Sequence, residues 1–201
     1  MSTAKARNTE ASRGDRAAAD PVARWRGDHY NFARLLDLVE RQVDAFHAGK
    51  RLDYELMRVI VDYLRHYPDR FHHPREDVAF TRLAERDPTL QLAIARRMQE
   101  HTVIAVAGEE LLKCLDQIIV GTVIERATVE AAVATYLVYY RHHIAAEEQQ
   151  VIPRAVELLT SADWAAVAAV ATAPDPLFGS DFDTRYEELR REIDGFAKEA
   201  P

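Results

Sequence analysis

The chain has 201 residues, of which 48% are hydrophobic and 29% charged, enough for one domain around a single sizeable core. A formal net charge of −7 offers no basic surface to nucleic acid or an anionic membrane, and one cysteine, Cys114, rules out an internal disulfide and cysteine-based zinc or iron–sulfur ligation. No apolar run approaches the roughly 18 residues of a membrane span, so no membrane partner is expected, and a reducing cytoplasm fits the cysteine usage.

Only 7 Gly and 8 Pro against abundant Ala, Leu, Val, Arg and Glu favour helix over strand. Residues 1–21 are read as a solvated, disordered tail ending at Pro21, and Glu10, Asp15 and Asp20 argue against an organellar transit peptide. A first helix is predicted from about Val22 to Ala48, stopping at Gly49, with Trp25, His29, Phe32, Leu36, Val39, Val43 and Phe46 in steps of three and four. His29 is the one polar member of that stripe, and alone it reads as a core histidine satisfied by its neighbours.

A second helix should start at the N-cap Asp53, carry Leu56, Ile60, Tyr63 and Leu64 inward, and meet Pro68 and Pro74 before ending ahead of Asp87-Pro88. Its apolar pattern resumes at Val78, Phe80 and Leu83, which predicts a kink or local unwinding rather than a break. Within it, His72 and Glu76 are four residues apart and share a face. His73 either joins them through the Pro74 kink or points to solvent, and spacing leaves the two readings even.

A third helix is predicted from about Pro88 to Val120, with Leu90, Ile94, Met98, His101, Ala105, Leu112, Leu115 and Ile119 inward. Gly108 on that side points to close approach by a neighbouring helix. A fourth, from about Thr128 to Leu159, turns Val133, Leu137, Tyr140, Ile144, Glu147 and Val151 inward. There the spacing of His72 and Glu76 returns as His143 and Glu147, while His142 falls on the opposite face. Tyr136, Tyr139 and Tyr140 read as core residues with wet hydroxyls. Residues 160–201 are expected to form a helical extension packed on the bundle: a short helix capped by Thr160 or Ser161, a loop over 174–179, and a helix from about Asp183 to Lys198 presenting Tyr186, Leu189, Ile193 and Phe196.

Four helices thus each aim imidazole or carboxylate at one interior. Burying Glu76 and Glu147 beside several imidazoles is costly unless positive charge is supplied, and metal ions supply it. Imidazoles with carboxylates suit iron, manganese or zinc, but seven potential ligands exceed the four of a closed zinc site, so two ions bridged by carboxylates are the economical count. The ferritin-type site needs Glu-x-x-His twice, a spacing the chain lacks.

Taken together, Asp28-His29, His72-His73-Pro74-Arg75-Glu76, Glu100-His101 and His143-Ile144-Ala145-Ala146-Glu147-Glu148 resemble the four signature segments of the hemerythrin-like (HHE cation-binding) domain. The resemblance covers about residues 22–159, and Tyr67-Pro68-Asp69 is typical of its bacterial members. It implies an all-α, up-down-up-down four-helix bundle holding two non-haem iron ions, bridged by Glu76 and Glu147. His29, His72, His101 and His143 would be terminal ligands, with His73 where some relatives place another.

Two departures bear on function. Oxygen-carrying hemerythrins of marine worms have a second histidine four residues from the ligand of the third helix, where this chain has Arg97 and Ala105 around His101. The iron nearest His101 is therefore expected to be the less fully ligated and more accessible one. Relatives that repair iron–sulfur centres under nitrosative stress carry an N-terminal cysteine region, and this chain has only a short tail without one. The expected function is a cytoplasmic di-iron protein that binds or reacts with dioxygen, nitric oxide or hydrogen peroxide. The competing class is a non-enzymatic iron-binding or redox- or oxygen-sensing module. Whether the protein is an enzyme, and its oligomeric state, stay open at this point.

Overall fold

A computed structural model describes residues 20–170, 173–179 and 183–199; the tail expected over 1–19 lies outside them. The first apolar stripe is realised as α1 (Pro21–His47), closed by Gly49 at φ 75°, the left-handed position that suits a residue without Cβ. Asp53 caps α2 (Tyr54–Tyr67) by accepting the Leu56 N–H at 2.9 Å. After a π-helical turn over Pro68–His72 the same rod continues as α3 (His73–Arg86). A 3-10 turn at Pro88–Leu90 leads into α4 (Gln91–Ile119). The fourth rod is α5 (Arg126–Ala146), a π turn over Glu147–Val151, and α6 (Ile152–Leu158). Then come α7 (Ser161–Ala168) and, after a 3-10 turn at Thr184–Tyr186, α8 (Glu187–Glu199); the described residues contain no strand.

Short connections make successive rods antiparallel, and each rod packs on the next and the fourth on the first, giving an up-down-up-down bundle. The core is divided. The larger part joins Phe32, Leu36, Tyr63, Leu64, Ile104, Leu111 and Tyr140, and the smaller joins Trp25, Phe80, Leu83, Ile94, Ile152 and Ala155. Along every rod the histidines and glutamates fall between the two: His29 between Trp25 and Phe32, Glu76 before Phe80, His101 between Ile94 and Ile104, and His143 between Tyr140 and Ile152. Each fully buried Leu or Phe contributes roughly 1.5–3 kcal/mol. Two apolar clusters can therefore offset a polar layer held at fixed depth between them.

Both π turns have one cause. A proline lacks the N–H that would bond the carbonyl four residues back, and its ring crowds that carbonyl. Pro74 and Pro153 stand two residues beyond the two turns, and the ladder resumes five residues back: His73 N–H donates to Pro68 O, and Ile152 N–H to Glu147 O. The extra residue in the turn lets neighbours that a regular helix would separate by about 100° share the interior. His72 and His73 are 2% and 5% exposed, so the structure takes the inward alternative for His73. The sequence pattern predicts the interruption at Pro74 but not that at Pro153.

The buried side of α4 differs from expectation. Ile94, Arg97, Ile104, Gly108, Leu111 and Leu115 are buried, whereas Met98 is 40% exposed and Ala105 and Leu112 are half-buried. Apolar residues lie around much of α4, so several stripes compete, and packing of Arg65 and Tyr136 at Gly108 selects this one. The extension packs as expected: α7 against α3 and α1, with a Thr160–Asp163 capping box, and α8 against α1 and α2 through Leu189 and Ile193, joined by Tyr186. The side chains of Phe46 and Phe196 lie outside what is described. No helix among the described residues is long and apolar enough to cross a membrane.

Gly108 shows how tightly the second, third and fourth rods approach. A Cβ there would stand 2.6 Å from Arg65 Cδ and 2.9 Å from the fully buried Tyr136 ring. Alanine adds about 1 kcal/mol of helix propensity, but overpacking costs roughly 1–3 kcal/mol. Gly108→Ala should therefore lower stability by up to about 2 kcal/mol in denaturant titration, and a stabilised variant would show that this contact is loose.

Candidate metal centre

Five imidazoles and two carboxylates meet between the two apolar clusters. Glu76 Oε1 lies 2.6 Å from His72 Nε2 and 3.3 Å from His29 Nε2, and its Oε2 lies 3.2 Å from His101 Nε2. Glu147 Oε2 is 3.3 Å from His29 Nε2 and accepts the Trp25 indole N–H at 3.2 Å, while Oε1 is 3.1 Å from His143 Nε2. His101 Nε2 and His143 Nε2 face each other at 3.1 Å, and the His73 and His101 rings stack with centroids 4.1 Å apart.

The other nitrogen of every ring faces outward onto a carboxylate. Nδ1 of His29, His72, His73, His101 and His143 lies 2.9–3.2 Å from Glu148, Asp28, Asp69, Asp77 and Glu100, respectively. An ionised carboxylate only accepts, so the proton of each neutral ring belongs on Nδ1 and the Nε2 lone pair points inward. Four of these carboxylates are backed by arginine: Asp28 by Arg75 at 2.7 Å, Asp69 by Arg65 at 2.9 Å, Glu100 by Arg97 at 2.6 Å and Glu148 by Arg26 at 3.3 Å. Ring orientation is thus fixed from outside, layer by layer.

This donor set fits a bound cation. Inward lone pairs 3.1 Å apart on His101 and His143 repel unless a proton or metal stands between them. Glu76 Oε2 and Glu147 Oε1 are buried and face only the Nε2 atoms of His101 and His143, at 3.2 and 3.1 Å; with those nitrogens as lone pairs they have no donor among the described residues, an arrangement that costs free energy in an apolar surrounding. Protonation preferences tell the same story. Burial pushes His29 and His101 down, yet hydrogen bonds to Glu147, Glu148 and Glu76 hold His29 well above the usual imidazole range, and Asp77 and Glu76 raise His101 to about 10. Burial lowers His73 to about 4, a neutral ring at neutral pH. Burial, followed by the neighbouring Glu76 charge, raises the Glu147 carboxyl. Without metal the cluster gathers protons, and metal ions would displace them.

Two overlapping groups have ligand atoms close enough to share one ion: His73, Glu76, His101 and His143, and His29, His72 and Glu76. Glu76 belongs to both, and Glu147 spans them, one oxygen near His143 and the other near His29. Every residue singled out from the sequence as a ligand lies in this cluster, and His142, with a side chain 63% exposed, does not. The group of His101 holds three imidazoles, with His73 brought inward by the Pro68–His72 turn, more than the resemblance leads one to expect around His101. The poorer group is that of His29 and His72. Tyr136 and Tyr140 are buried and their hydroxyls have no hydrogen-bond partner, whereas Tyr139 is 42% exposed.

The outer residues were less visible in the sequence. Asp28, Glu100 and Glu148 lie in the segments that carry the resemblance and Asp77 and Trp25 outside them, and helical periodicity assigns none of the five a part in the site. A signal was present for some of them. Asp28, Asp77, Glu100 and Glu148 each stand next to a ligand in the chain, and Asp69 stands one turn before His73.

Comparison with known proteins agrees with this geometry. Residues 20–155 match the family model described as the hemerythrin HHE cation binding domain. No curated protein and no solved structure matches the chain. Since the matched residues cover most of the chain and include all seven histidines and glutamates of the cluster, the protein belongs to the hemerythrin HHE cation-binding domain family.

Proposed function

We propose that the protein is a non-haem di-iron protein that binds or reacts with a small diatomic or peroxide ligand: dioxygen, nitric oxide or hydrogen peroxide. The observation that carries the reading is the pair of overlapping ligand groups sharing Glu76 and spanned by Glu147. Seven carboxylates touch the five imidazoles and four guanidiniums back them, which leaves three negative charges that bound cations would offset. More than four ligands, all imidazole or carboxylate, favour iron over a closed zinc site.

Bound there, a pair of irons would supply electrons and Lewis acidity to the small ligand. His73, His101 and His143 would hold one ion and His29 and His72 the other, with Glu76 and Glu147 between. The Trp25 indole N–H steadies Glu147, and the Nδ1–carboxylate contacts fix the rings and increase their basicity. The exchangeable position falls at the His29–His72 pole. There Asp28, hydrogen-bonded to His72, also lines an open cleft of about 560 Å³ with Arg24, Asn31, Tyr67 and Asp175. A polar cleft admits water and protons, which favours oxidation over reversible carriage. We place the protein in the cytoplasm. The alternative, a non-enzymatic iron-binding or sensing module, draws on the Tyr63 hydroxyl donating to Asp175 at 2.9 Å, a link from the second rod to the extension.

Glu76→Ala and Glu147→Ala should each lose most bound metal, His73→Ala should lose about half, and His142→Ala should lose none, as read by metal content per chain. Loss in His142→Ala with retention in His143→Ala would overturn the ligand assignment. The diferrous protein should oxidise in air and should show a changed optical spectrum with nitric oxide or peroxide. Dioxygen uptake that lasts for hours and reverses under vacuum would instead make carriage the function, and an iron spectrum indifferent to all three ligands would leave a structural or iron-binding role.

A further inference from the structure

Tyr63 is fully buried in the larger apolar cluster, and its hydroxyl donates to Asp175 Oδ2 at 2.9 Å. The other carboxylate oxygen accepts the Leu177 and Phe178 N–H groups at 2.8 and 2.9 Å, so the acceptor is fixed from the extension. Aromatic rings join this pair to the metal layer. His72 meets Phe32 edge-on with centroids 4.9 Å apart, Phe32 meets Tyr63 at 6.4 Å, and Tyr63 stacks on Tyr67 at 5.6 Å. Tyr67 and Asp175 both line the open cleft beside Asp28, so the row runs from a candidate ligand imidazole to that cleft. The other buried tyrosines of the row and the core lack such an acceptor. Among the described residues the Tyr136 and Tyr140 hydroxyls have no hydrogen-bond partner, and Tyr67 has Arg24, a cation that cannot take a proton. Burial, then the Asp175 charge, raises the Tyr63 phenol, and burial raises the Asp175 carboxyl. The Tyr63 proton therefore leaves only together with an electron, and Asp175 is the readier to hold it.

We propose that Tyr63 is a one-electron relay between the metal layer and the cleft, with Asp175 as its proton acceptor. The inference rests on the reading that dioxygen or peroxide reacts at that layer. One electron leaves the Tyr63 ring across Phe32 and His72 and is one of those that reduce the oxidant, the rest coming from bound iron. The phenolic O–H bond breaks, its proton passes to Asp175 Oδ2, and a neutral tyrosyl radical remains. The pair goes from one buried charge to none, the direction that burial favours. A one-electron reductant at the cleft then returns an electron by way of Tyr67, and Asp175 returns the proton, which restores the Tyr63 phenol. Reductants too large to enter the bundle can thus serve a reaction inside it.

The test is freeze-quench electron paramagnetic resonance of the full chain, loaded anaerobically with Fe(II) and mixed with hydrogen peroxide, with the iron spectrum followed optically in parallel. A tyrosyl radical signal is expected, and it should be absent in Tyr63→Phe. Asp175→Asn keeps an oxygen for the Leu177 and Phe178 N–H groups and should slow radical formation on the order of a hundredfold, the usual effect of losing a positioned proton acceptor. It decides the matter if Tyr63→Phe folds poorly. A merely structural Tyr63–Asp175 link would change stability in these variants but not the radical. An iron spectrum that responds to peroxide without any radical, a radical that persists in Tyr63→Phe on Trp25 or another tyrosine, or formation unaltered in Asp175→Asn would overturn the relay and leave the reaction at the metal layer standing. An iron spectrum indifferent to peroxide would remove that reaction and the relay with it.

Discussion

The architecture depends on one electrostatic constraint: four imidazoles turn their Nε2 atoms toward two buried carboxylates, a fifth, His73, stacks on His101 beside them, and the Nδ1 atoms of all five are held by five other carboxylates. With Nδ1 as the protonated nitrogen, the interior is a set of lone pairs and negative charge, which is unfavourable at this depth unless protons or cations occupy it. Arginines behind four of the outer carboxylates hold the arrangement without entering it. The polar layer is therefore rigid from the outside in, the condition under which ligand atoms stay in place before metal arrives.

Backbone geometry serves the same end. A regular helix could bring either His72 or His73 to the interior, and either Glu147 or Glu148 to His29, but not both members of each pair. The two π turns, each two residues ahead of a proline, bring both. Helix stability lost at those turns is offset by the apolar clusters on either side, Phe32 to Tyr140 on one and Trp25 to Ala155 on the other. The extension contributes Tyr186, Leu189 and Ile193 to the larger cluster, so it belongs to the packed unit.

Much of this was legible in the chain itself. The rods, the Asp53 cap, the Gly49 stop and the inward turn of His143 against His142 follow from steps of three and four and from local capping chemistry. What spacing could not settle was any feature set by the backbone between ideal periods. Spacing leaves His73 even between inside and outside because its direction depends on the turn that Pro74 imposes, and the number of imidazoles around His101 is beyond the reach of spacing for the same reason. On α4, apolar residues on several faces left the stripe ambiguous, and it took contact with Arg65 and Tyr136 at Gly108 to fix which side is buried. The outer carboxylates were hidden differently. Glu100 serves His143 rather than its chain neighbour His101, and Asp77 serves His101 rather than its own helix, pairings that only tertiary structure reveals.

How many metal ions this layer takes is the decisive quantity. Elemental analysis of the full chain after anaerobic Fe(II) loading and removal of free metal measures that number directly. About two irons per chain is the predicted result. A reproducible value near zero, or one tightly held zinc that iron does not displace, would contradict it and would mean that protons rather than irons neutralise the lone pairs of His29, His72, His73, His101 and His143.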